Sequence, residues 1–158
     1  SAASDVYKRQ LENIERYSAA NNHYVFEITE TIEMDQIPAV QNVFKEFVKN
    51  DFRFAIDDFG TGYSNYGYMR DRTFDIVKVD RSFVTDIDKL KDNYLMVSFI
   101  IKMAHEMGLH VCIEGVETKE ELSCVKKLGA DYIQGYYYGK PVCLQDFEEQ
   151  HLKRFVLG

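Results

Sequence analysis

Short apolar runs recur along the chain, and longer segments with amphipathic spacing separate them. The apolar runs predict five buried strands, at residues 24–28, 54–56, 75–80, 111–114 and 131–134. Strands that alternate with helices are typical of a parallel sheet with helices packed against it. The order therefore predicts an α/β fold. Two architectures fit it: an open doubly wound sheet, or part of a (β/α)8 barrel.

Helical spacing of apolar residues fills the segments around these strands. It predicts helices over residues 6–20, 35–49, 92–107, 118–127 and 144–156. In the 92–107 helix, the residues expected to face inward are Val97, Ile100, Met103, Ala104 and Met107. Gly108 then ends that helix. Thr118 and Glu121 form a capping box that starts the next one.

Charged or amide side chains stand near the C-terminal end of nearly every predicted strand. They are Glu27, Asp57, Asp58, Lys78, Glu114 and Gln134. Taken singly, each is more often a solvated strand end or a structural ion pair. However, the C-terminal ends of parallel strands meet at one edge of the sheet, where such folds bind their ligands. The shared position therefore favours a functional site.

Asp57 and Asp58 end an apolar strand and precede a loop that contains Gly60 and Gly62. On their own, these residues fit a solvated turn about as well as a metal site. Two buried carboxylates need a positive partner, and hard divalent cations prefer oxygen ligands. Lys78, inside an apolar strand, needs carboxylates around it in turn. Together they point to a two-metal site for in-line displacement at phosphorus, with Lys78 orienting the attacking water or neutralising developing charge.

Length, charge and cysteine content narrow the class of protein. The 158 residues suggest one domain. A net charge of -7 argues against a general binder of nucleic-acid polymers or membrane surfaces, which would carry a basic excess. Three widely spaced cysteines favour free thiols in a reducing cytoplasm over a disulfide frame or a zinc site. No signal peptide or transmembrane run is visible, and a membrane-bound parent protein stays open as an alternative.

Five short motifs follow one another in order along the chain. They read Glu-Ile-Thr-Glu at 27–30, Asp-Asp-Phe-Gly-Thr-Gly-Tyr-Ser at 57–64, Val-Lys-Val-Asp at 77–80, Glu-Gly-Val-Glu-Thr at 114–118 and Gln-Gly-Tyr at 134–136. As an ordered set these motifs are highly specific. Over residues 11–145 the chain resembles the EAL family of bacterial cyclic di-GMP phosphodiesterases.

The resemblance implies a partial (β/α)8, TIM-like barrel with about five parallel strands alternating with helices. It implies hydrolysis of one phosphodiester bond of cyclic di-GMP, giving linear pGpG, in the bacterial cytoplasm. Two Mg²⁺ or Mn²⁺ ions would serve the complete domain. A homodimer of that domain, and regulatory or sensor domains upstream of it, are also expected.

The resemblance also assigns roles to individual residues. It implies metal ligands at Glu27, Asp57, Asp58 and Glu114. Lys78 resembles the residue that holds or deprotonates the nucleophilic water, and Glu114 resembles a further metal or water contact. Glu117 and Gln134 resemble outer supports of the site and its water. Glu30 resembles the glutamate that anchors the 58–64 loop.

Two motifs of the family are not found in this sequence. The family's first strand carries Glu-Ala-Leu, whose glutamate binds metal, and its second strand carries a metal-binding asparagine. The chain is therefore expected to correspond to the C-terminal two-thirds of an EAL domain, at residues 11–158, with the first strands missing. Residues 1–10 are interpreted as a non-native leader or junction. The isolated chain is expected to be a weak or inactive enzyme.

Two other functions fit the same residues. The missing ligands favour a non-catalytic module that binds cyclic di-GMP or a partner protein. A different metal-dependent barrel enzyme that acts on small phosphates also fits. The retained Lys78 and paired aspartates favour the phosphodiesterase, because a degenerate site would be expected to lose some of them.

Histidines and a tyrosine run receive structural interpretations. His105 and His110 flank Gly108 and are expected to be surface or capping residues. The tyrosines at 136–138 are expected to pack and stiffen their loop, with stacking on guanine as the alternative.

Overall fold

A computed structural model describes residues 24–29, 45, 47–61 and 74–147. Its five strands are parallel and form one sheet in chain order. They are β1 Val25–Thr29, β2 Arg53–Phe59, β3 Ile76–Val79, β4 His110–Ile113 and β5 Tyr132–Ile133. A doubly wound sheet reverses its strand order at a switch point, whereas a barrel keeps its strands in sequence. The observed order therefore confirms the predicted partial barrel.

Helices follow the last three strands. They are α1 Lys91–Glu106 after β3, α2 Lys119–Leu128 after β4 and α3 Leu144–Phe147 after β5. A short 3₁₀ helix, Arg81–Phe83, leads from β3 towards α1. Residues 47–49 are helical and precede β2. This alternation of strand and helix is the one that the apolar pattern predicts.

The strands have one apolar side and one polar side, because successive side chains point to opposite faces. On the apolar side, six residues of β2 to β4 are at most 3% exposed: Phe54, Ile56, Val77, Val79, Val111 and Ile113. They form one core with helix residues such as Val97, Ile100, Leu122 and Val125. Burying each such side chain contributes roughly 1.5–3 kcal/mol. The core thereby fixes which residues of each strand lie on the opposite, polar side.

Helix α1 presents its predicted apolar face with one exception. The residues confirmed as buried are Val97, Ile100 and Ala104. The prediction for Met107 is wrong, since this residue is 39% exposed. The helix ends at Glu106, so Met107 caps it and leaves the buried face. Gly108 follows at φ +80°, a left-handed conformation that glycine adopts without strain.

Strand β2 does not stop before its aspartates, as the sequence predicts, but continues through Phe59. Ile56 pairs with Val77 and Phe59 with Val79, so β2 has one residue more than β3 over this interval. Asp58 lies at φ +55° within this bulge. The extra residue returns Phe59 to the core, where it is 3% exposed. Two consecutive carboxylates can thus stay out of the core within a single strand.

Some predicted features lie outside the described residues. These are the leader at 1–10, the 6–20 helix, most of the 35–49 helix, the end of the 144–156 helix, and Glu30. In the ranges that the structure does describe, no helix combines the length and the apolar character that crossing a bilayer requires.

Candidate active site

Lys78 lies at the centre of the polar side of the sheet. The residue is only 5% exposed. Its Nζ lies 2.8 Å from a carboxylate oxygen on each of three residues, Glu27, Asp57 and Glu114. Burial alone would lower the pKa of Lys78, but the hydrogen bonds to Asp57, Glu114 and Glu27 outweigh it and raise that pKa. The ammonium therefore stays charged at neutral pH.

Strand register explains why these side chains meet. Glu27 pairs with Ala55, and Asp57 lies two residues beyond Ala55 on the same face. Lys78 pairs with Cys112, and Glu114 lies two residues beyond Cys112. The sequence expectation that carboxylates surround Lys78 is confirmed by this arrangement.

A second group of carboxylates shares two members with the first. Oxygen atoms of Asp57, Asp58 and Glu114 all lie within 4.8 Å of one another. The bulge in β2 brings Asp58 into this group, because a regular strand would send consecutive side chains to opposite faces. Carboxylate oxygens are the ligands that Mg²⁺ and Mn²⁺ prefer.

The charges of this site do not balance. One ammonium, on Lys78, faces three carboxylates, and Asp58 adds a fourth nearby. Burial raises the pKa of Glu114; the contact with Lys78 lowers it, and the charges of Asp57 and Glu27 raise it again, so that the net shift is upward. Each carboxylate also has a second oxygen beyond the one that Lys78 contacts. This surplus of negative charge and of oxygen ligands fits a divalent cation.

Glu117 and Gln134 border the cluster without joining it. The Oε1 atom of Glu117 lies 3.0 Å from Nη1 of Arg81, and both side chains are exposed. Gln134 directly follows β5, and its backbone carbonyl accepts a hydrogen bond of 3.2 Å from the Val116 N–H. The structure thus brings together Glu27, Asp57, Lys78 and Glu114, with Asp58 adjacent.

The contacts of three residues near the site were not predicted from the sequence. Cys112, half-buried beside Lys78, has its pKa raised to about 11 by burial and by the charge of Glu114, so its thiol stays protonated. Strand alternation with Glu114 would have been the signal for it. Nothing in the sequence indicated that Arg81 would contact Glu117, apart from its position directly after the Val-Lys-Val-Asp motif. Glu121 was expected only to cap its own helix, and its contact with Asp86 was not predicted.

The histidines and the tyrosine run lie at the surface of the structure. His105, in the last turn of α1, contacts Asp131 at 2.8 Å, and both histidines are exposed, which agrees with a surface or capping role. The tyrosines at 136–138 are 41–56% exposed, so their contacts lie within their own loop rather than in the core. Two of their rings contact each other edge-on at 5.4 Å. Stacking on guanine stays a prediction.

Comparison with known proteins places the fold and the motifs in one family. The sequence model of the EAL domain matches residues 2–141. The cyclic di-GMP phosphodiesterase PdeB of Shewanella oneidensis is 35% identical over 131 residues, which cover 83% of this chain and 15% of PdeB.

Two solved structures are similar as well. The EAL enzyme Bd1971, in its form with cAMP and cyclic-di-GMP bound, superposes with a TM-score of 0.78 at 35% identity. The match covers 85% of this chain and 36% of that one. BlrP1 of Klebsiella pneumoniae, as a manganese and cy-diGMP complex, superposes with a TM-score of 0.76 at 28% identity, over 87% of this chain and 35% of its own. The chain thus spans a minor part of each of these proteins.

Proposed function

The chain belongs to the EAL domain family, and we propose that it contributes the central carboxylate site of a cyclic di-GMP phosphodiesterase. The name of PdeB and the bound ligand in the Bd1971 structure support this substrate. The observation that carries the proposal is the ammonium of Lys78, which lies 2.8 Å from each of three carboxylates at the C-terminal edge of the sheet. A purely structural ion pair would need one carboxylate rather than three.

Four residues would hold the divalent cations: Glu27, Asp57, Asp58 and Glu114. Their oxygen ligands and surplus charge suit Mg²⁺ or Mn²⁺, and the manganese complex of BlrP1 supports the second of these. When bound, such ions lower the pKa of a coordinated water and stabilise charge on phosphoryl oxygens. The protein itself needs no basic patch for this substrate, which agrees with the net charge of -7.

Lys78 acts as a hydrogen-bond donor in this proposal. Its carboxylate partners raise its pKa, so the ammonium keeps its charge and its N–H donors at neutral pH. Its three N–H groups face the three carboxylates, so it would orient a water or a phosphoryl oxygen by its charge and by turning one of these donors towards it. Of the two roles that the resemblance implies, holding the water is the one we propose.

The remaining assignments are proposals of the same kind. Glu117 and Gln134 support the site from its border, through the loop of Glu117 that contacts both Arg81 and the residues after β5. Glu30 anchors the 58–64 loop. We place the reaction in the bacterial cytoplasm, in a homodimer with regulatory domains upstream; the free cysteines agree with a reducing compartment.

Product analysis tests the proposed reaction. The full-length protein is incubated with cyclic di-GMP and Mg²⁺ or Mn²⁺, and the nucleotides are separated by chromatography. We expect linear pGpG to accumulate with either metal and to stop forming when a chelator is added. Binding of cyclic di-GMP without cleavage would contradict the proposal and would favour the non-catalytic module.

A further inference from the structure

Glu121 is a buried carboxylate that joins two loops of the site. The residue is 6% exposed, one of two polar residues that are buried among those described. Its Oε2 accepts hydrogen bonds from the backbone N–H groups of Glu117, at 2.9 Å, and Thr118, at 3.0 Å. Its Oε1 accepts a third, at 3.2 Å, from the N–H of Asp86.

A capping box accounts for only part of this arrangement. In that motif the third helical residue accepts from the N-cap N–H, which here is the bond from Thr118. Asp86 is 35 residues away in sequence and belongs to the segment between Lys78's strand, β3, and helix α1. Glu121 therefore ties this segment to the loop that follows β4. That loop carries Glu114 and Glu117.

The segment around Asp86 has an unfavourable backbone conformation that the contact helps to hold. Asp86 lies at φ +55°, which is uncommon for a residue other than glycine. Its own carboxylate contacts Lys89 at 2.6 Å, and its carbonyl accepts from the N–H groups of Lys89 and Leu90. The Glu121 oxygen binds the N–H that this turn presents inward.

The loop of Glu114 is closely packed on both of its other sides. The Glu114 N–H donates to the Val79 carbonyl at 3.1 Å. Gly115 faces the Arg81 side chain so closely that a Cβ would overlap it, and a Cβ on Gly135 would overlap the backbone of Val116. Because this loop is tightly packed, a shift of the backbone at Glu117 and Thr118 also shifts Glu114.

We propose that Glu121 is a positioning residue for the metal site: it sets Glu114 relative to Lys78 by tying together the loops that follow their two strands. The inference rests on the proposed function for the meaning of the site. Glu121 is suited to this task as an ion, since three N–H donors require an acceptor-only group. Burial alone would raise its pKa, but the hydrogen bonds from Glu117, Thr118 and Asp86 lower it.

The substitution Glu121→Gln tests the contact with the Asp86 N–H, here called the bridge, separately from the capping box at the start of α2. Glutamine is a normal capping-box residue and keeps one acceptor oxygen for Glu117 and Thr118. Its amide NH₂ then faces the Asp86 N–H. Because both groups are donors, they cannot form a hydrogen bond, and only the bridge is lost. The matched control is Thr118→Ala, which removes the cap hydrogen bond to the Glu121 N–H and leaves the bridge in place.

Calorimetric titration of the full-length protein with Mn²⁺ alone provides the test. Residues that orient metal ligands typically change affinity about 10–100-fold when mutated. We expect Glu121→Gln to weaken Mn²⁺ binding at least about tenfold and Thr118→Ala to change it less than about twofold. A Glu121→Gln affinity within about twofold of the parent would overturn the proposal, as would equal losses in both variants.

Hydrogen exchange separates this inference from the proposed function. If the parent binds Mn²⁺ but does not cleave cyclic di-GMP, the proposed function fails, and the affinities still decide the role of Glu121. If the parent binds no Mn²⁺, the rate of amide hydrogen exchange decides whether Glu121 ties the two loops together. Faster exchange at both 84–90 and 114–118 in Glu121→Gln, but not in Thr118→Ala, supports the proposal. Unchanged exchange at 84–90 overturns it.

Discussion

Lys78 is the residue at which the charges of the site meet. A buried ammonium needs carboxylate partners, and three of them lie 2.8 Å from its Nζ. The sequence sufficed to predict that carboxylates surround this lysine, because an apolar strand offers nothing else to pair with it. It did not suffice to predict which oxygen atoms make contact, since that depends on the register of three strands.

Replacement of Lys78 should affect the chemical step more than ligand binding. Lys78→Ala removes a charged donor from the reacting centre, and loss of one such donor typically lowers turnover about 10²-fold or more. We expect kcat for cyclic di-GMP to fall by about that factor, and affinity for the ligand in the presence of Mn²⁺ to change several-fold at most. The full-length protein is assayed at saturating substrate, with ligand binding measured by calorimetry.

Lys102→Ala is the matched control for this substitution, since Lys102 is an exposed lysine of α1 away from the cluster. The control should keep the parental kcat. An unchanged kcat in Lys78→Ala, with affinity lost instead, would reverse the assignment.

At the scale of elements, the apolar pattern predicts the strands well but leaves their order in the sheet open between two architectures, and local backbone irregularities escape it. Alternation of strand and helix sufficed for the parallel sheet. The bulge at Asp58 did not follow from the residue types, because a strand residue with positive φ leaves no periodic signal. The capping box of Thr118 is local and was predictable. The bridge from Glu121 to Asp86 spans 35 residues and was not.

Asp131 joins three elements at the opposite, N-terminal end of the strands. It directly precedes β5, its Oδ2 accepts from the Val111 N–H of β4 at 2.7 Å, and the same atom contacts His105 of α1 at 2.8 Å. Burial would raise the pKa of Asp131, but the bonds from His105 and Val111 outweigh it and lower that pKa. The carboxylate therefore stabilises the fold when it is ionised.

This contact predicts a loss of stability in acid. Because the pKa of Asp131 is lower in the folded state, its contribution is present above its unfolded pKa of about 3.9 and is lost as pH falls through the folded value. Asp131→Asn should lower the free energy of unfolding by about 1 kcal/mol at pH 7. The difference from the parent should shrink as the pH falls below the unfolded pKa of about 3.9.

Urea unfolding at several pH values measures this effect. Asp88→Asn, at an exposed position in the segment before α1, is the control and should leave the free energy of unfolding nearly unchanged at every pH. A difference between Asp131→Asn and the parent that is the same at pH 7 and pH 3 would show that the ionised carboxylate is not the cause.

At the scale of the whole molecule, the described sheet leaves its polar side open at both ends. β1 and β5 are the outer strands of the five described, and each has an exposed apolar residue, Val25 at 40% and Tyr132 at 42%. The side chain of Glu27, on β1, is 49% exposed, against 20% for Asp57 and 17% for Glu114. The site is therefore least enclosed on the β1 side. There the EAL resemblance expects further strands with metal ligands.

The 158-residue polypeptide by itself should consequently be a poor enzyme. Without the further metal ligands that the EAL resemblance expects on the β1 side, both cations and the substrate would be poorly positioned. We expect little or no pGpG from this polypeptide with Mg²⁺ or Mn²⁺. Turnover should appear when the residues that precede the matched segment in PdeB are joined ahead of it. Strong turnover by the 158 residues alone would refute this expectation.

The central claim is that the carboxylates around Lys78 hold divalent cations, and locating Mn²⁺ by anomalous scattering in crystals of the full-length protein tests it most directly. We predict an anomalous peak within about 2.0–2.6 Å of carboxylate oxygens of Asp57, Asp58 and Glu114. In Asp57→Asn, which keeps the shape but removes the charge, the peak should be lost while the fold is retained. A full Mn²⁺ peak at another position, with none at these three carboxylates, would contradict the account.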